Sequence, residues 1–372
     1  MFHAAIGINS DNSSIHMARQ IKIKDIAKMA GVSSGTVDRV LHNRGSVSES
    51  SRKAVERILT EVGYRYNIHT SAVSLTKEFN LVITTPSGIP GEYWGSVMSG
   101  IEHALKEFSD INIHFRHALY NQFDVYSCRS AFESVLEMSP DAVIIGPTFA
   151  SETVRLCNEL DKSEVPYVFV DSVIDGTSPV ASYTTDQYAC GHLLGRLLSS
   201  FTPSDAKFAI CGTARVGDER SNNTRERKKG FLAYFKETDR SGSVTEIRFS
   251  ISNPKETEDL ILDMVEKNPD IKGIAVLNSR GYVVADILRR HGIDDIRLMS
   301  FDLTSNNVRC IQNESISAVL CQRPELQGFF SVKSLIHWLL YRKTDADRYH
   351  KMPIDVVFKE NLPFYKEIVD SD

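Results

Sequence analysis

The sequence predicts an α/β protein: a small all-α head followed by a two-lobed core built on parallel sheets. Three observations carry this. Residues 19–77 read as short helices and hold eleven Lys/Arg against five Asp/Glu, a net +6 within a chain whose total is −5. From Phe79 onward, short apolar runs alternate with amphipathic helical patterns, as parallel sheets covered on both faces require. That alternation continues for about 290 residues, long for one sheet, so two similar lobes are expected.

Composition bounds the function. With 42% hydrophobic and 24% charged residues over 372 positions, the chain is globular, with length for two or three folding units. No run of about 18 apolar residues occurs, so no membrane span is expected. The opening MFHAAIGINSDNSS lacks the basic start and long apolar stretch of a secretory signal. The six cysteines are scattered without a CxxC pair, and Cys211 and Cys321 sit inside apolar runs. A reduced, cytoplasmic chain with neither disulfide framework nor structural zinc is expected. Residues 1–18 are −1 and the residues beyond 77 are −10. A basic head on an acidic body suits a nucleic-acid-binding module fused to a sensor or enzyme; an unevenly solvated surface is the plain alternative.

Within the head, KDIAKMA is followed by Gly31-Val32-Ser33, then SGTVDRVL, then SVSESSRKAVERILTEVGY. Ile26, Ala30, Val32, Val37 and Val40 fall where two crossing helices share a small core. Ala27 lies at their closest approach, where a larger side chain would push them apart. Gly31 stands where the first helix must end in a left-handed residue, and Ser33 can cap the second. Ser34, Gly35, Thr36, Asp38 and Arg39 are then directed outward, and small polar residues with one Arg at the start of an exposed helix suit a DNA major groove. A generic helical hairpin would explain any one of these features; together they favour DNA binding. The third helix opens with a serine-rich capping stretch, places Val55, Ile58, Leu59 and Val62 at helical spacing, and stops at Gly63.

Thr70 to Lys77 reads as a connector. Strands are then expected at 80–84, 111–115, 141–146, 166–171, 207–212, 272–277, 296–301 and 316–321, with helices in most gaps.

The stretch IKIKDIAKMAGVSSGTVDRVLHNRGSVSESSRKAVERILTEVGYRYN resembles the helix-turn-helix DNA-binding head of the lactose-repressor (LacI/GalR) family. The remainder resembles that family's periplasmic-binding-protein-like sensor core. The resemblance implies a division into an extension (1–20), a helix-turn-helix domain (21–66), a hinge (67–78) and a ligand-binding core (79–372). The first lobe is expected over 79–180 and 324–352, the second over 181–320 and 353–372. It also implies a homodimer on a palindromic double-stranded operator, with the second helix in the major groove and the hinge in the minor groove. Ser34 and Gly35 fall at the family's main base-reading positions and Arg39 at a further one, while Ser33, Thr36 and His42 fall among its backbone contacts. Asp38 departs from the family's small hydroxyl residue. In the hinge Asn67 matches, but Ile68 to Val73 departs from the usual alanine- and arginine-rich helix, and Val73 stands where the family places a wedging leucine.

In the core, the resemblance points to Tyr93 and Trp94 as aromatic residues packed on the ligand, and to Asp171, Arg227, Asn278, Asp302 and Gln322 as polar contacts. An aromatic face stacks on the apolar face of a sugar ring, and carboxylates, amides and a guanidinium fork can bond its hydroxyls. A buried aromatic pair and ordinary strand-end capping are the plain alternatives for single residues.

Enzyme signals are weak. Ser50-x-x-Lys53 lies in the basic head without an oxyanion loop. His114-x-x-His117 lacks an obvious third metal ligand, and Asp171 with Asp302, although a conceivable glycosidase pair, coincide with binding positions. No phosphate-cradling glycine loop follows the first strand. The expectation is therefore a transcriptional repressor of carbohydrate-utilisation genes controlled by a small sugar-like effector, with no catalytic residue, metal or cofactor. A sugar-binding protein without DNA, a sugar-processing enzyme, a nucleobase effector and an activator role are the alternatives.

Overall fold

The computed structural model describes residues 23–41, 47–61, 78–213, 222–240, 243–342 and 347–366. They fall into two units, a head before residue 70 and a core after it. His42, Asn67, Val73, the extension 1–20 and the hinge up to residue 77 lie outside the described residues.

The head consists of α1 (Ile23–Ala30), α2 (Ser34–Leu41) and α3 (Glu49–Glu61). Ile26, Ala27, Val37, Val40, Val55 and Ile58 are buried together, as their helical spacing requires. Gly31 adopts φ +66° between α1 and α2, a conformation that costs glycine little. The Ser33 hydroxyl accepts from the Thr36 N–H at 3.1 Å and caps α2. Ser48 does the same for α3, accepting from the Ser51 N–H at 3.3 Å.

The core holds two six-stranded sheets. The first lobe begins with β1 (Phe79–Thr84), α4 (Tyr93–Glu107), β2 (Ile113–His117) and α5 (Val125–Glu137), then β3 (Ala142–Ile145), α6 (Ala150–Lys162), β4 (Tyr167–Val170) and β5 (Ala181–Thr184). The second lobe runs through α7 (Gln187–Ser200), β6 (Lys207–Thr213), α8 (Asn222–Glu237), β7 (Val244–Phe249) and α9 (Pro254–Lys267). It continues with β8 (Ile271–Val276), α10 (Gly281–Arg290), β9 (Arg297–Phe301), α11 (Ser305–Gln312) and β10 (Ala318–Cys321). The chain then returns to the first lobe with α12 (Pro324–Tyr341) and β11 (Tyr349–Lys351), and ends with β12 (Asp355–Val357) and α13 (Pro363–Lys366). Strand order is β11-β5-β4-β3-β1-β2 in one sheet and β12-β10-β9-β8-β6-β7 in the other. All described pairings are parallel except β10 with β12.

Each sheet is covered on both faces by apolar residues of its flanking helices, which is why β3, β4 and β10 are entirely buried. The lobe boundary needs one correction. The sequence assigns residues from 181 to the second lobe, yet Ala181–Thr184 pair with β4 in the first sheet. The chain crosses between sheets after Thr184, again between Cys321 and Pro324, and again between Lys351 and Asp355. Asp186, at the first crossing, is tied to Lys351, at the third, by an ion pair of 2.7 Å.

Helices α7 and α8 approach at van der Waals limits because each sets a glycine against the other's backbone. In the second lobe, a Cβ on Gly191 of α7 would stand 1.8 Å from the Arg227 carbonyl oxygen of α8, and one on Gly230 would stand 1.9 Å from that of Tyr188. This contact seats α8, and with it Arg227, against the floor of the interlobe cleft.

Candidate functional site

The cleft between the lobes contains about 640 Å³ of space, part of it open to solvent. The ends of β3, β4, β8 and β10 and the N-terminal turns of α4 and α8 meet there. Ligand sites in open α/β sheets occupy this place beyond the strands' carboxyl ends.

Tyr93 and Trp94 occupy the first turn of α4 and meet edge to face at 5.3 Å and 89°. Both line the cleft while remaining largely buried. A Cβ on Gly146 would lie 2.6 Å from the Trp94 ring, so the position after β3 must be glycine for the indole to sit there. The Tyr93 hydroxyl donates to Asp171 Oδ1 at 2.8 Å. Burial, and then the Asp171 charge, hold this phenol well above its ordinary pKa, so it remains a donor at neutral pH.

Asp171 follows β4 with φ +73°, a left-handed geometry that Asp tolerates better than most residues. Its backbone N–H donates to Gln327 Oε1 at 2.9 Å, which anchors the turn to α12. Its Oδ2 accepts from Asn223 Nδ2 at 2.8 Å. Asn223 belongs to α8, so this bond crosses the cleft.

Arg227 lies in the cleft wall but is only 3% exposed. Its guanidinium stacks 3.8 Å above the Phe301 ring, Nε donates to Gln187 Oε1 at 2.7 Å, and Nη1 donates to the Leu277 carbonyl at 2.9 Å. Arg227 is thus held by the second lobe and the first crossing.

Asn278 lines the cleft at the end of β8. Its Nδ2 donates to Thr213 Oγ1 at 2.7 Å and its Oδ1 accepts from the Arg280 N–H at 2.9 Å. Gln322 reaches the cleft floor with 1% exposure. Its Oε1 accepts from Thr185 at 2.9 Å and Gln187 at 3.0 Å, and its Nε2 donates to Asp302 Oδ1 at 3.1 Å. Its amide therefore joins two of the crossings.

Asp302 departs from the expectation. It is 4% exposed and lies behind Gln322, not among the residues facing the cleft. Desolvation raises its carboxyl to about 7, with Arg227 and Gln322 opposing that rise. With β9 ending at Phe301 and φ at +65°, its backbone carbonyl accepts from Asn307 at 3.0 Å.

The structure adds residues that the sequence did not single out. Glu92 and Arg280 face each other across the cleft mouth at 2.7 Å. Asn223 and Gln187 bind the proposed ligand residues Asp171 and Arg227. Asn223 lies four residues before Arg227, one helical turn away, and that i, i+4 spacing was the available signal.

In the head, Ser33, Ser34, Gly35 and Arg39 are exposed and Thr36 is half-buried. Arg39 Nε donates to the Gly35 carbonyl at 3.1 Å, so its side chain lies along the outer face of α2. Among the described residues, no group of three or more His, Cys, Asp or Glu is placed to hold a metal ion, and no helix is long and apolar enough to cross a membrane.

Residues 22–67 match the family model described as bacterial regulatory proteins, lacI family, and residues 82–341 match the periplasmic binding protein domain. The chain belongs to the lacI family of bacterial regulatory proteins. Like its lacI-family relatives, it is a DNA-binding transcriptional regulator. It is 24% identical over 291 residues to the HTH-type transcriptional regulator DegA of Bacillus subtilis, a match covering 76% of this chain and 81% of that one. It is 27% identical over 215 residues to the ribose operon repressor of Lactococcus lactis, covering 58% and 60%. Among solved structures, a LacI transcriptional regulator from Bacteroides fragilis superposes with TM-score 0.74 at 29% identity, over 78% of this chain and all of that one. A glucose-galactose binding protein from Geobacillus stearothermophilus shares the core fold, with TM-score 0.66 at 20% identity over 77% of this chain and all of that one. DegA and the ribose operon repressor are both regulators by name.

Proposed function

We propose that this lacI-family protein is a cytoplasmic homodimeric repressor of carbohydrate-utilisation genes, and that a small sugar-like effector in the interlobe cleft sets its operator affinity. The observation that carries the reading is the composition of the cleft. An aromatic pair on the first turn of α4 stands beside Asp171, and hydrogen bonds from Tyr93 and Asn223 converge on that carboxylate from both lobes. A polyhydroxyl ligand would exchange hydroxyls for these internal partners, so its binding energy would depend on how the lobes meet. In the head, Ser34, Gly35 and Arg39 are the proposed base-reading residues, with Ser33 and Thr36 as backbone contacts; His42, Asn67 and Val73 are proposed from the resemblance alone. The cleft binds its ligand without chemical change. The test is a thermal-shift screen of sugars and nucleosides, followed by operator titration with each hit. A hit recovered intact that alters operator affinity supports the proposal. Turnover of the hit, or unaltered operator affinity with the cleft saturated, removes it.

A further inference from the structure

We infer that the Glu92–Arg280 pair is a specificity gate that restricts the cleft to uncharged polyhydroxyl effectors and excludes sugar acids and sugar phosphates. This rests on the sugar-effector reading above and concerns the same site.

Glu92 is the residue before α4, adjacent to Tyr93, and Arg280 precedes α10 on the opposite lobe. The guanidinium meets the carboxylate with both arms, Nη1 to Oε1 at 2.7 Å and Nη2 to Oε2 at 3.4 Å. Their side chains are only 13% and 28% exposed, so the pair is far less screened than a surface ion pair. Arg280 is oriented on its own lobe as well, by Asn278 at its backbone N–H and by the Tyr282 hydroxyl at 3.3 Å. Glu92 is held in reach because the Ser305 N–H donates to the Gly91 carbonyl at 2.8 Å. A Cβ on Gly91 would meet Ser305 Oγ at 2.1 Å, so this loop packs directly on the Ser305 side chain.

An arginine fork in a cleft matches a ligand carboxylate or phosphate. Here the protein's own carboxylate occupies it. Arg227, the other cation lining the cleft among the described residues, is engaged by Gln187, Leu277 and the Phe301 face. Asp171 adds a negative charge to the wall, which accepts hydroxyls and repels anions. An anionic effector would have to displace Glu92 from Arg280 and lie near two carboxylates. A neutral one meets neither cost.

The experiment is calorimetric titration of the full-length protein with paired probes: D-galactose and D-galacturonate, D-glucose and D-glucuronate, D-ribose and D-ribose 5-phosphate. Wild type is expected to bind a neutral member at least about tenfold more tightly than its anionic counterpart. Glu92→Gln frees the Arg280 fork, and the preference should move toward the anion by about tenfold or more, the worth of one charge-assisted hydrogen bond. Glu92→Gln combined with Arg280→Gln should abolish that movement. Wild type binding the anionic member as tightly as the neutral one, or an unchanged preference in Glu92→Gln, overturns the gate alone. No binding of any probe by any of the three proteins overturns the sugar-effector reading, and the gate with it.

Discussion

The Arg227 carbonyl oxygen occupies the space a side chain at Gly191 would need, 1.8 Å from where its Cβ would be. Helix α7 can therefore lie against α8 only with glycine there, and the position of Arg227 in the cleft depends on a residue that never touches it through a side chain. Helix propensity alone would favour Ala over Gly at this interior position by about 1 kcal/mol. Overpacking against backbone typically costs about 1–3 kcal/mol, and the obstacle here cannot rotate away.

Gly191→Ala is accordingly expected to destabilise the core by up to about 2 kcal/mol net of propensity and to weaken effector binding. Urea unfolding would measure the first and calorimetry the second. Gly212→Ala, where a Cβ meets nothing within 4 Å, is the matched control. Equal stability of the two variants would refute the close-packing account of Arg227.

Gly35 separates stability from recognition. A Cβ there meets only Ser33 Oγ, at 3.9 Å, so Gly35→Ala should leave the head folded and strengthen α2 by about 0.5–1 kcal/mol. If Gly35 lies against the DNA, the same variant should lose operator affinity although its head melts higher. Arg39→Ala should lower specific binding by about 1–3 kcal/mol if Arg39 reads a base. Equal weakening on operator and random DNA would reassign Arg39 to a phosphate contact.

Asp302 gives a pH dependence. Its carboxyl is raised from 3.8 to about 7, chiefly by burial, so the folded protein retains a proton that the unfolded chain releases across that range. Stability from this group is fully present below about pH 4 and declines as pH rises through about 7. Asp302→Asn keeps a residue that tolerates the positive φ and removes the titration. The variant's melting temperature should gain on wild type between pH 5 and pH 8. A constant difference across that range would show that Asp302 ionises normally in the fold.

Much of the fold is readable because strands buried on both faces need uninterrupted apolar runs, as in AVII of β3 and AVLC of β10. The strands that escape are those without such runs. ASYT of β5 is short and half polar, VTEIRF of β7 is a partly exposed edge, and β11 and β12 have three residues each. The second strand starts at Ile113, two residues later than its apolar pattern, because Ile111 closes the turn after α4 by donating to the Phe108 carbonyl at 2.9 Å. At the site, Tyr93, Asp171 and Asn278 are legible as polar or aromatic residues at element ends. Asp302 has the same pattern, yet it is buried behind Gln322, and no local pattern reports that. Glu92 and Arg280 are 188 positions apart on different lobes, so only the folded core reveals them as a pair.

If ligand in the cleft controls the head's grip on operator, one titration shows it most directly. Operator affinity is measured for wild type and Asp171→Asn across a concentration series of a sugar found to bind. Asparagine suits the φ of +73° at this position and removes the charge that Tyr93 and Asn223 share. Losing a charged hydrogen bond typically costs about 1.5–3 kcal/mol, or roughly one to two decades of affinity. Without sugar, both proteins should bind operator, since residues 23–61 are untouched. With sugar, wild-type operator affinity should change, and Asp171→Asn should need about ten to a hundred times more sugar for the same change. An operator affinity that ignores saturating sugar in wild type, or an identical sugar response in Asp171→Asn, would contradict the account.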